Sequence, residues 1–169
     1  IYDYPMGLYV RGRLPEPGRP SAAVVGARAC SSYGARAARR MAGELAAAGV
    51  QIISGLALGI DGEAHRGALD SQAPTFAVLG SGVDICYPKA HCHLLERILE
   101  QGGILSEYPP GMQPAAWHFP VRNRIISGLS DVVLVMEARA RSGSLITAET
   151  GLEQGKEIFA LPGRVTDPL

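Results

Sequence analysis

Cysteine is scarce in this 169-residue chain, which has only Cys30, Cys86 and Cys92. An odd number of thiols, and a start that is neither a basic signal region nor a transit peptide, argue against a disulfide framework. The chain also lacks any run of ~18 uncharged apolar residues, which excludes a membrane-spanning helix. We therefore expect a soluble cytoplasmic protein with no membrane partner.

The spacing of a structural metal site is missing as well. Cys86 precedes Cys92 by six positions, with His91 and His93 on either side of Cys92. This is not one of the paired Cys/His patterns that hold zinc, and neighbouring residues on a helix point in different directions. We therefore expect surface residues at the start of a helix here, and no metal.

Two nucleotide-binding fingerprints are absent. The first turn after a strand, from Gly26 to Gly34, is longer than Gly-x-Gly-x-x-Gly and has Arg28 where a pyrophosphate needs glycine. The next strand ends at Ser54-Gly55 without an acid to hold a ribose. The P-loop pattern Gly-x-x-x-x-Gly-Lys-Ser/Thr does not occur either. We expect no NAD, FAD or ATP site and no resident cofactor.

Charge of one sign is not in excess, because the formal net charge is zero, which argues weakly against a general polyanion binder. The arginines are nevertheless clustered, since residues 17–43 contain five of them and no acid. A second acid-free stretch, between Glu107 and Asp131, contains the run from Trp117 to Arg124. Aromatic rings and arginine forks on one short stretch are typical of a nucleic-acid contact. A solvated turn before a helix is the alternative.

Short apolar runs alternate with helical segments along the chain. Parallel strands need crossover helices, so this alternation predicts an α/β fold: a Rossmann-like, doubly wound, mostly parallel sheet with helices on both faces. We expect one compact domain over residues 1–169. The predicted strands are 22–25, 50–53, 75–79, 103–105, 132–136 and 158–161, and the predicted helices are 34–48, 60–69, 94–101, a segment through 123–128, and 142–154.

Small residues collect where these strands end. In doubly wound sheets, ligands bind outside the carboxyl ends of the strands, where helix N-termini supply amides for anions. For any one glycine the simpler interpretation is a turn, but the set predicts a pocket. Its members are Gly26, Ser54, Gly55, Gly80, Gly82, Ser142, Gly143 and Ser144.

Six longer motifs follow one another between residues 20 and 163. They are Gly26-x-Arg28-x-x-Ser31-x-Tyr33-Gly34, Ser54-Gly55-Leu56-Ala57-x-Gly59-Ile60-Asp61-x-x-Ala64-His65, Ala77-Val78-Leu79-Gly80-x-Gly82-x-Asp84-x-x-Tyr87-Pro88, Ser106-Glu107-Tyr108-Pro109-Pro110-Gly111, Phe119-Pro120-x-Arg122-Asn123-Arg124-Ile125-Ile126-Ser127-Gly128-Leu129-Ser130 and Ser142-Gly143-Ser144-Leu145-Ile146-Thr147-Ala148. In order and spacing they resemble the DNA-processing protein A (DprA/Smf) family over nearly the whole chain.

The resemblance implies a binding protein and not an enzyme. Such proteins bind single-stranded DNA without strong sequence preference, protect it and help load the RecA recombinase during natural transformation and recombination. The resemblance also implies a homodimer built on an extended Rossmann core. Helical and winged-helix-like domains commonly flank this core, and we expect neither of them within these 169 residues.

Five positions match the DNA pocket of the family. These are Arg28, Lys89, Phe119, Arg122 and Asn123. A basic residue that often precedes the phenylalanine is replaced by Ala116, so Trp117 or another arginine must compensate, or affinity is lower. Because Arg122 and Arg124 lie two positions apart, they diverge on a helix, and we expect one to face DNA while the other holds the fold.

Each of these roles has an alternative. Arg28 could pair with Glu107 or Glu137, Phe119 could be a core aromatic, and Asn123 could cap a helix. Asp61 and His65 resemble an acid-base pair at helical spacing, but we interpret them as structural.

Two other functions remain open for the whole chain. One is a nucleotide-processing enzyme of the related phosphoribohydrolase-like superfamily, with Glu149 and Glu153 as the nearest acids, although its Pro-Gly-Gly-x-Gly-Thr loop is missing. The other is a protein-interaction scaffold without a ligand.

Overall fold

The computed structural model describes residues 3–139 and 142–163; the other positions, including the chain ends, lie outside the described residues. The strands are β1 (Tyr9–Gly12), β2 (Ser21–Gly26), β3 (Gln51–Ser54), β4 (Thr75–Leu79), β5 (Gly103–Ser106), β6 (Val132–Glu137) and β7 (Glu157–Ala160). The helices are α1 (Ser32–Ala47), α2 (Ile60–Asp70), α3 (Cys92–Gln101), α4 (His118–Gly128) and α5 (Gly143–Glu153), and a short 3-10 turn spans Lys89–His91.

All seven strands form one sheet in the order β1-β5-β4-β3-β2-β6-β7. The pairings among β2 to β7 are parallel, and β1 adds to β5 as an antiparallel edge. The predicted mostly parallel α/β fold is therefore confirmed. Strand β1 was not predicted, because all four of its residues are exposed and its sequence has no buried apolar run to mark it.

The core forms on both faces of the sheet, because successive residues of a strand point to opposite sides. Ala22 and Val24 of β2 pack with α1 and α2, whereas Ala23 and Val25 pack with α4 and α5. Helix α3 covers the β4 and β5 end of the first face through Leu94, Leu95 and Ile98. Within the described residues, no helix has the length and hydropathy required to cross a membrane.

The cysteine prediction is wrong at one pair. The structure joins Cys86 and Cys92 in a disulfide, and Cys30 is the free thiol. The prediction that the neighbouring histidines lie on the surface is also wrong for His91, which is buried and hydrogen-bonds through Nδ1 to the Leu56 carbonyl oxygen at 2.9 Å. The tertiary fold brings Leu56 to this turn, which local spacing could not show.

His65 lies on α2, buried against the sheet. Its Nδ1 lies 2.8 Å from the Thr75 hydroxyl, which donates its own hydrogen to the Ile52 carbonyl oxygen. Nδ1 must therefore donate, which leaves the buried Nε2 without a hydrogen. Burial lowers the pKa of His65 to about 3. The predicted structural role agrees with this geometry, but His65 bonds to Thr75 and Asp61 bonds elsewhere.

This histidine should make stability fall in mild acid. Its folded pKa lies below its unfolded value near 6.5, so the unfolded chain takes up the proton first as the pH falls. We expect the free energy of unfolding to drop by about 2 kcal/mol from this group between pH 6.5 and 5. Urea denaturation at both pH values measures it. His65→Gln should remove this part of the pH dependence, and His93→Gln, an exposed control, should keep it. Identical profiles for the wild type and His65→Gln would contradict the assignment.

Candidate nucleic-acid interface

The strand order reverses between β2 and β6. From β2 the chain builds outward through β3, β4 and β5, then returns to place β6 on the other side. A cavity of about 420 Å³, here called the main cavity, opens at the carboxyl ends of these two strands. This is where doubly wound sheets bind ligands, and the volume falls in the range of small-molecule sites. A smaller side cavity adjoins it and shares Arg28, Ala57, Phe119 and Arg122 with it.

One face of α4 forms a wall of the main cavity. Phe119, Arg122, Asn123 and Ile126 all line it. Arg122, Asn123 and Ile126 follow Phe119 by three, four and seven positions, which is the spacing of one helical face. Asn123 also donates through Nδ2 to the Gly143 carbonyl oxygen at 3.1 Å, so it ties α4 to the start of α5.

Arg122 lies beneath the cavity surface and is 4% exposed. Its Nη1 donates to the carbonyl oxygens of Gly55, at 2.9 Å, and Val78. Residue 55 must be glycine for this approach, because a Cβ there would lie 2.5 Å from Nη1. Burial lowers the pKa of Arg122 to about 10, so the guanidinium stays charged at neutral pH. Within residues 3–139 and 142–163, this cation has no ion-pair partner within 4.0 Å.

Asp61 is the carboxylate in the cavity wall. It accepts hydrogen bonds from the amides of Gly55, at 3.1 Å, and Ala57, at 3.4 Å. Burial raises its pKa, while Arg122 and these amides favour the charged form. The motif from Ser54 to Asp61 had marked this aspartate, but the sequence did not show that it would face a ligand site.

The cavity mouth carries Arg28 and Phe119. The Arg28 guanidinium lies over the Phe119 ring, 5.2 Å from its centroid, and Arg122 lies 5.9 Å from the same centroid. The ring is half-buried and lines both cavities, so it is not the core aromatic that was the alternative. Gly80 allows this position, because a Cβ there would lie 2.9 Å from the ring.

Glu137 positions the turn that carries Arg28 without pairing with it. Its carboxylate accepts from the amide of Ser31 at 3.0 Å and from the Ser31 hydroxyl at 2.8 Å. Ser31 in turn caps α1 by accepting from the amide of Gly34. In the described part of the chain Arg28 has no ion pair, so neither suggested salt bridge, to Glu107 or to Glu137, forms.

The start of α5 closes the opposite side of the cavity. Ser142, Gly143 and Ser144 all line it, as expected from their place after β6. The two serine hydroxyls lie 2.8 Å apart, and a Cβ on Gly143 would meet open space. Arg139, which was not singled out in the sequence, also lines the cavity and is exposed. This end of the cavity therefore combines helix amides, hydroxyls and a cation, all suited to an anion.

Several of the predicted residues lie away from the cavities. Arg124 points to the other side of α4, where Nη2 donates to Glu107 at 2.8 and 2.9 Å and Nε donates to Asp3 at 3.1 Å. It therefore holds the fold, as one of the two arginines was expected to do. Trp117 precedes α4, is 66% exposed, and packs edge-on against Tyr108 and His118.

The remaining predicted positions divide in the same way. Gly26 lines the main cavity and Gly55 the side cavity. Ser54 is buried and donates to the Val24 carbonyl oxygen at 2.6 Å. Gly82 faces the loop at Pro109, not the cavities. Lys89 is exposed on the turn next to Tyr87 and Pro88, which line the side cavity.

A family model described as DNA recombination-mediator protein A matches residues 1–169. The chain belongs to this family. Protein Smf of Escherichia coli K12 is 53% identical over 98% of this chain and 45% of its own length. DNA processing protein DprA of Streptococcus pneumoniae R6 is 48% identical over all of this chain and 60% of its own length. The chain thus spans about half the length of these curated relatives.

Solved structures of the DNA recombination-mediator family agree with the fold. The X-ray structure of DprA from Streptococcus pneumoniae superposes with a TM-score of 0.93 at 48% identity, covering 99% of this chain and 59% of that one. DprA from Helicobacter pylori, solved to examine its single-stranded DNA binding mode, has a TM-score of 0.89 at 32% identity and covers 99% and 77%. A molybdenum cofactor binding protein from Rippkaea orientalis, at 18% identity and TM-score 0.67, shares the fold alone.

Proposed function

We propose that this chain binds single-stranded DNA without strong sequence preference at the main cavity and its mouth. The observation that carries the proposal is the set of three arginines, Arg28, Arg122 and Arg139, that line one cavity beside Phe119. Among the described residues Arg28 and Arg139 are exposed and have no ion-pair partner, so their charge is available to phosphates. Family membership, and the DNA-binding structure of the Helicobacter pylori relative, support the same assignment.

The arrangement favours unpaired bases. An aromatic ring can stack on a base only when that base has left the helical stack, and every base has a face to offer. Phe119 is half-buried in a concave site, which a rigid duplex cannot enter to reach it. Stacking and phosphate contacts carry little sequence information, so we expect weak sequence preference.

The wider role that we propose is protection of the strand and its transfer to the RecA recombinase during transformation and recombination. This follows from the family resemblance of the six motifs.

We also propose a homodimer through the β7 edge, where Phe159 is 51% and Leu152 63% exposed. Sedimentation at several concentrations measures self-association, and co-sedimentation of DNA-bound protein with RecA measures the recombinase contact.

Binding without catalysis fits the acids of the site. Glu149 and Glu153, the residues that an enzyme of the phosphoribohydrolase-like type would have used, are exposed on α5 and do not line the main cavity. Asp61 does line it, but both nearby backbone amides already donate to its carboxylate. We infer that it compensates the buried Arg122 charge. Release of free base from nucleoside monophosphates, abolished by Asp61→Asn, would contradict this inference.

Titration of labelled oligo-dT at two salt concentrations tests the proposed binding. We expect affinity to fall with salt, because each neutralised phosphate of a single strand contributes a slope of about −0.7. Replacing Arg28 or Lys89 with alanine should each make the slope shallower by about 0.7.

The matched control is Arg40→Ala. Arg40 lies on the outer face of α1, is paired with Glu44 and lines neither cavity. It should leave both affinity and slope unchanged. Equal affinity for duplex of the same length, or an unchanged slope in Arg28→Ala, would overturn the proposal.

A further inference from the structure

Tyr87 extends the aromatic surface of the mouth. Its ring stacks with that of Phe119, with centroids 5.7 Å apart and planes at 29°. It is 42% exposed and lines the side cavity together with Arg28 and Arg122. A large exposed aromatic ring that continues a stacking residue is the pattern of a site for successive bases.

The segment that carries Tyr87 is closed by the disulfide. Cys86 immediately precedes Tyr87, and Cys92 begins α3 five positions after it. The far end of the segment is also held at His91, which is buried and bonded to the Leu56 carbonyl oxygen. At the near end the amide of Ile85 donates to the Gly82 carbonyl oxygen at 3.0 Å, but among the described residues no backbone hydrogen bond involves Tyr87 itself. The crosslink therefore adds a covalent tie at Cys86, directly beside the tyrosine.

We propose that Tyr87 is a second base-stacking residue beside Phe119, and that the Cys86–Cys92 crosslink positions it, so that DNA affinity depends on the thiol-disulfide state of this pair. The proposal rests on the proposed function, since it concerns the same bound single-stranded DNA. A crosslink limits the conformations open to the segment that it closes. Without it, Tyr87 occupies the stacked position for only part of the time, and apparent affinity falls by that fraction.

The redox step requires a dithiol reductant. One thiolate of the reductant attacks a sulfur of the Cys86–Cys92 bond, and its second thiol resolves the mixed disulfide. The protein gains two electrons and two protons as two thiols, and the reductant becomes a cyclic disulfide. Both cysteines are partly exposed, so a small dithiol reaches them.

The first experiment tests the stacking role with oligo-dT. Tyr87→Ala should weaken binding by at least about fivefold with the salt slope unchanged, because a lost stack removes no charge. Tyr87→Phe, which keeps the ring, should bind like the wild type. Tyr9→Ala serves as the matched control, since Tyr9 is 45% exposed on the edge strand β1 and lines neither cavity. Equal affinity for Tyr87→Ala and Tyr9→Ala would overturn the assignment.

The second experiment tests the crosslink in a Cys30→Ser background, which removes the free thiol near the turn that carries Arg28. Thiol counting by alkylation first establishes the state of the pair. Reduction with dithiothreitol should weaken binding by about threefold and never by more than Tyr87→Ala does. In Cys30→Ser/Tyr87→Ala, reduction should have no further effect, because the residue that the crosslink positions is gone.

The remaining outcomes separate the positioning role of the crosslink, the stacking role of Tyr87 and the proposed function. Two titratable thiols at Cys86 and Cys92 after air oxidation, or a redox effect of the same size without Tyr87, would overturn the positioning role. A redox effect on thermal stability alone, with affinity unchanged, would do the same. If the oxidised wild type does not bind oligo-dT at all, the proposed function is wrong. If it binds but Tyr87→Ala does not change its affinity, only this inference is wrong.

Discussion

Arg122→Met should lower the free energy of unfolding by about 3–5 kcal/mol, the usual cost of removing one partner from a buried charged group. The guanidinium donates to two carbonyl oxygens, that of Gly55, which directly follows β3, and that of Val78, which lies within β4. Methionine fills much of the volume of the arginine side chain. Both carbonyl oxygens then lose the hydrogen bond from Arg122, and the buried Asp61 loses the nearby positive charge. Urea denaturation at pH 7 measures the loss.

Two variants show what this loss means. Arg139→Met changes an exposed arginine of the same cavity and should shift stability by no more than about 0.5 kcal/mol. Arg122→Lys keeps the charge but not the planar fork, so its stability should lie between those of the wild type and Arg122→Met. A wild-type unfolding midpoint for Arg122→Met would show that the guanidinium does not tie the two strands together.

Phe119→Ala should weaken oligo-dT binding by about 5- to 150-fold, which corresponds to the ~1–3 kcal/mol of one aromatic stack. The ring lines both cavities and is the common neighbour of Tyr87, Arg28 and Arg122. Because no charge is removed, the salt slope should stay that of the wild type. Titration at two salt concentrations measures both quantities.

Arg28→Ala provides the contrast, since it should make the slope shallower while leaving the ring in place. The two residues touch, with the guanidinium 5.2 Å from the ring centroid, so the double variant should lose less than the sum of the single losses. Phe119→Leu, which keeps apolar volume without a π face, should bind nearly as poorly as Phe119→Ala. If Phe119→Leu binds like the wild type, or if Phe119→Ala and Arg28→Ala change the slope equally, stacking is not the role of this ring.

The strand and helix pattern was readable because burial leaves a periodic trace. Strands β2, β3 and β4 are buried on both faces, so their apolar runs are almost unbroken. Strand β1 leaves no such trace, since all four of its residues are exposed and it joins the sheet by backbone pairing with β5. Helical spacing likewise places Phe119, Arg122 and Asn123 on one face, and the structure puts them on one cavity wall.

The site required information that neighbouring residues do not contain. Arg122 and Arg124 are two positions apart, yet Arg122 donates to the carbonyl oxygens of Gly55 and Val78, whereas Arg124 bonds to Glu107 after β5. Which arginine faces the cavity therefore depends on which distant acceptors the fold places on each side of α4. Trp117, the most conspicuous aromatic in the sequence, lies outside the cavities, because it precedes the first turn of α4 and packs on Tyr108.

The sequence by itself determined the doubly wound α/β architecture and the family, because hydrophobic periodicity and ordered motifs are local patterns that can be recognised in the sequence alone. Only the tertiary structure decided that Arg122 is buried, that Arg124 is paired, that Asp61 enters the cavity wall and that Cys86 bonds to Cys92. The physical reason is the separation along the chain over which each effect acts. Periodicity acts over a few residues, whereas ion pairs, burial and the disulfide depend on which segments the sheet order and the turns bring within a few ångströms.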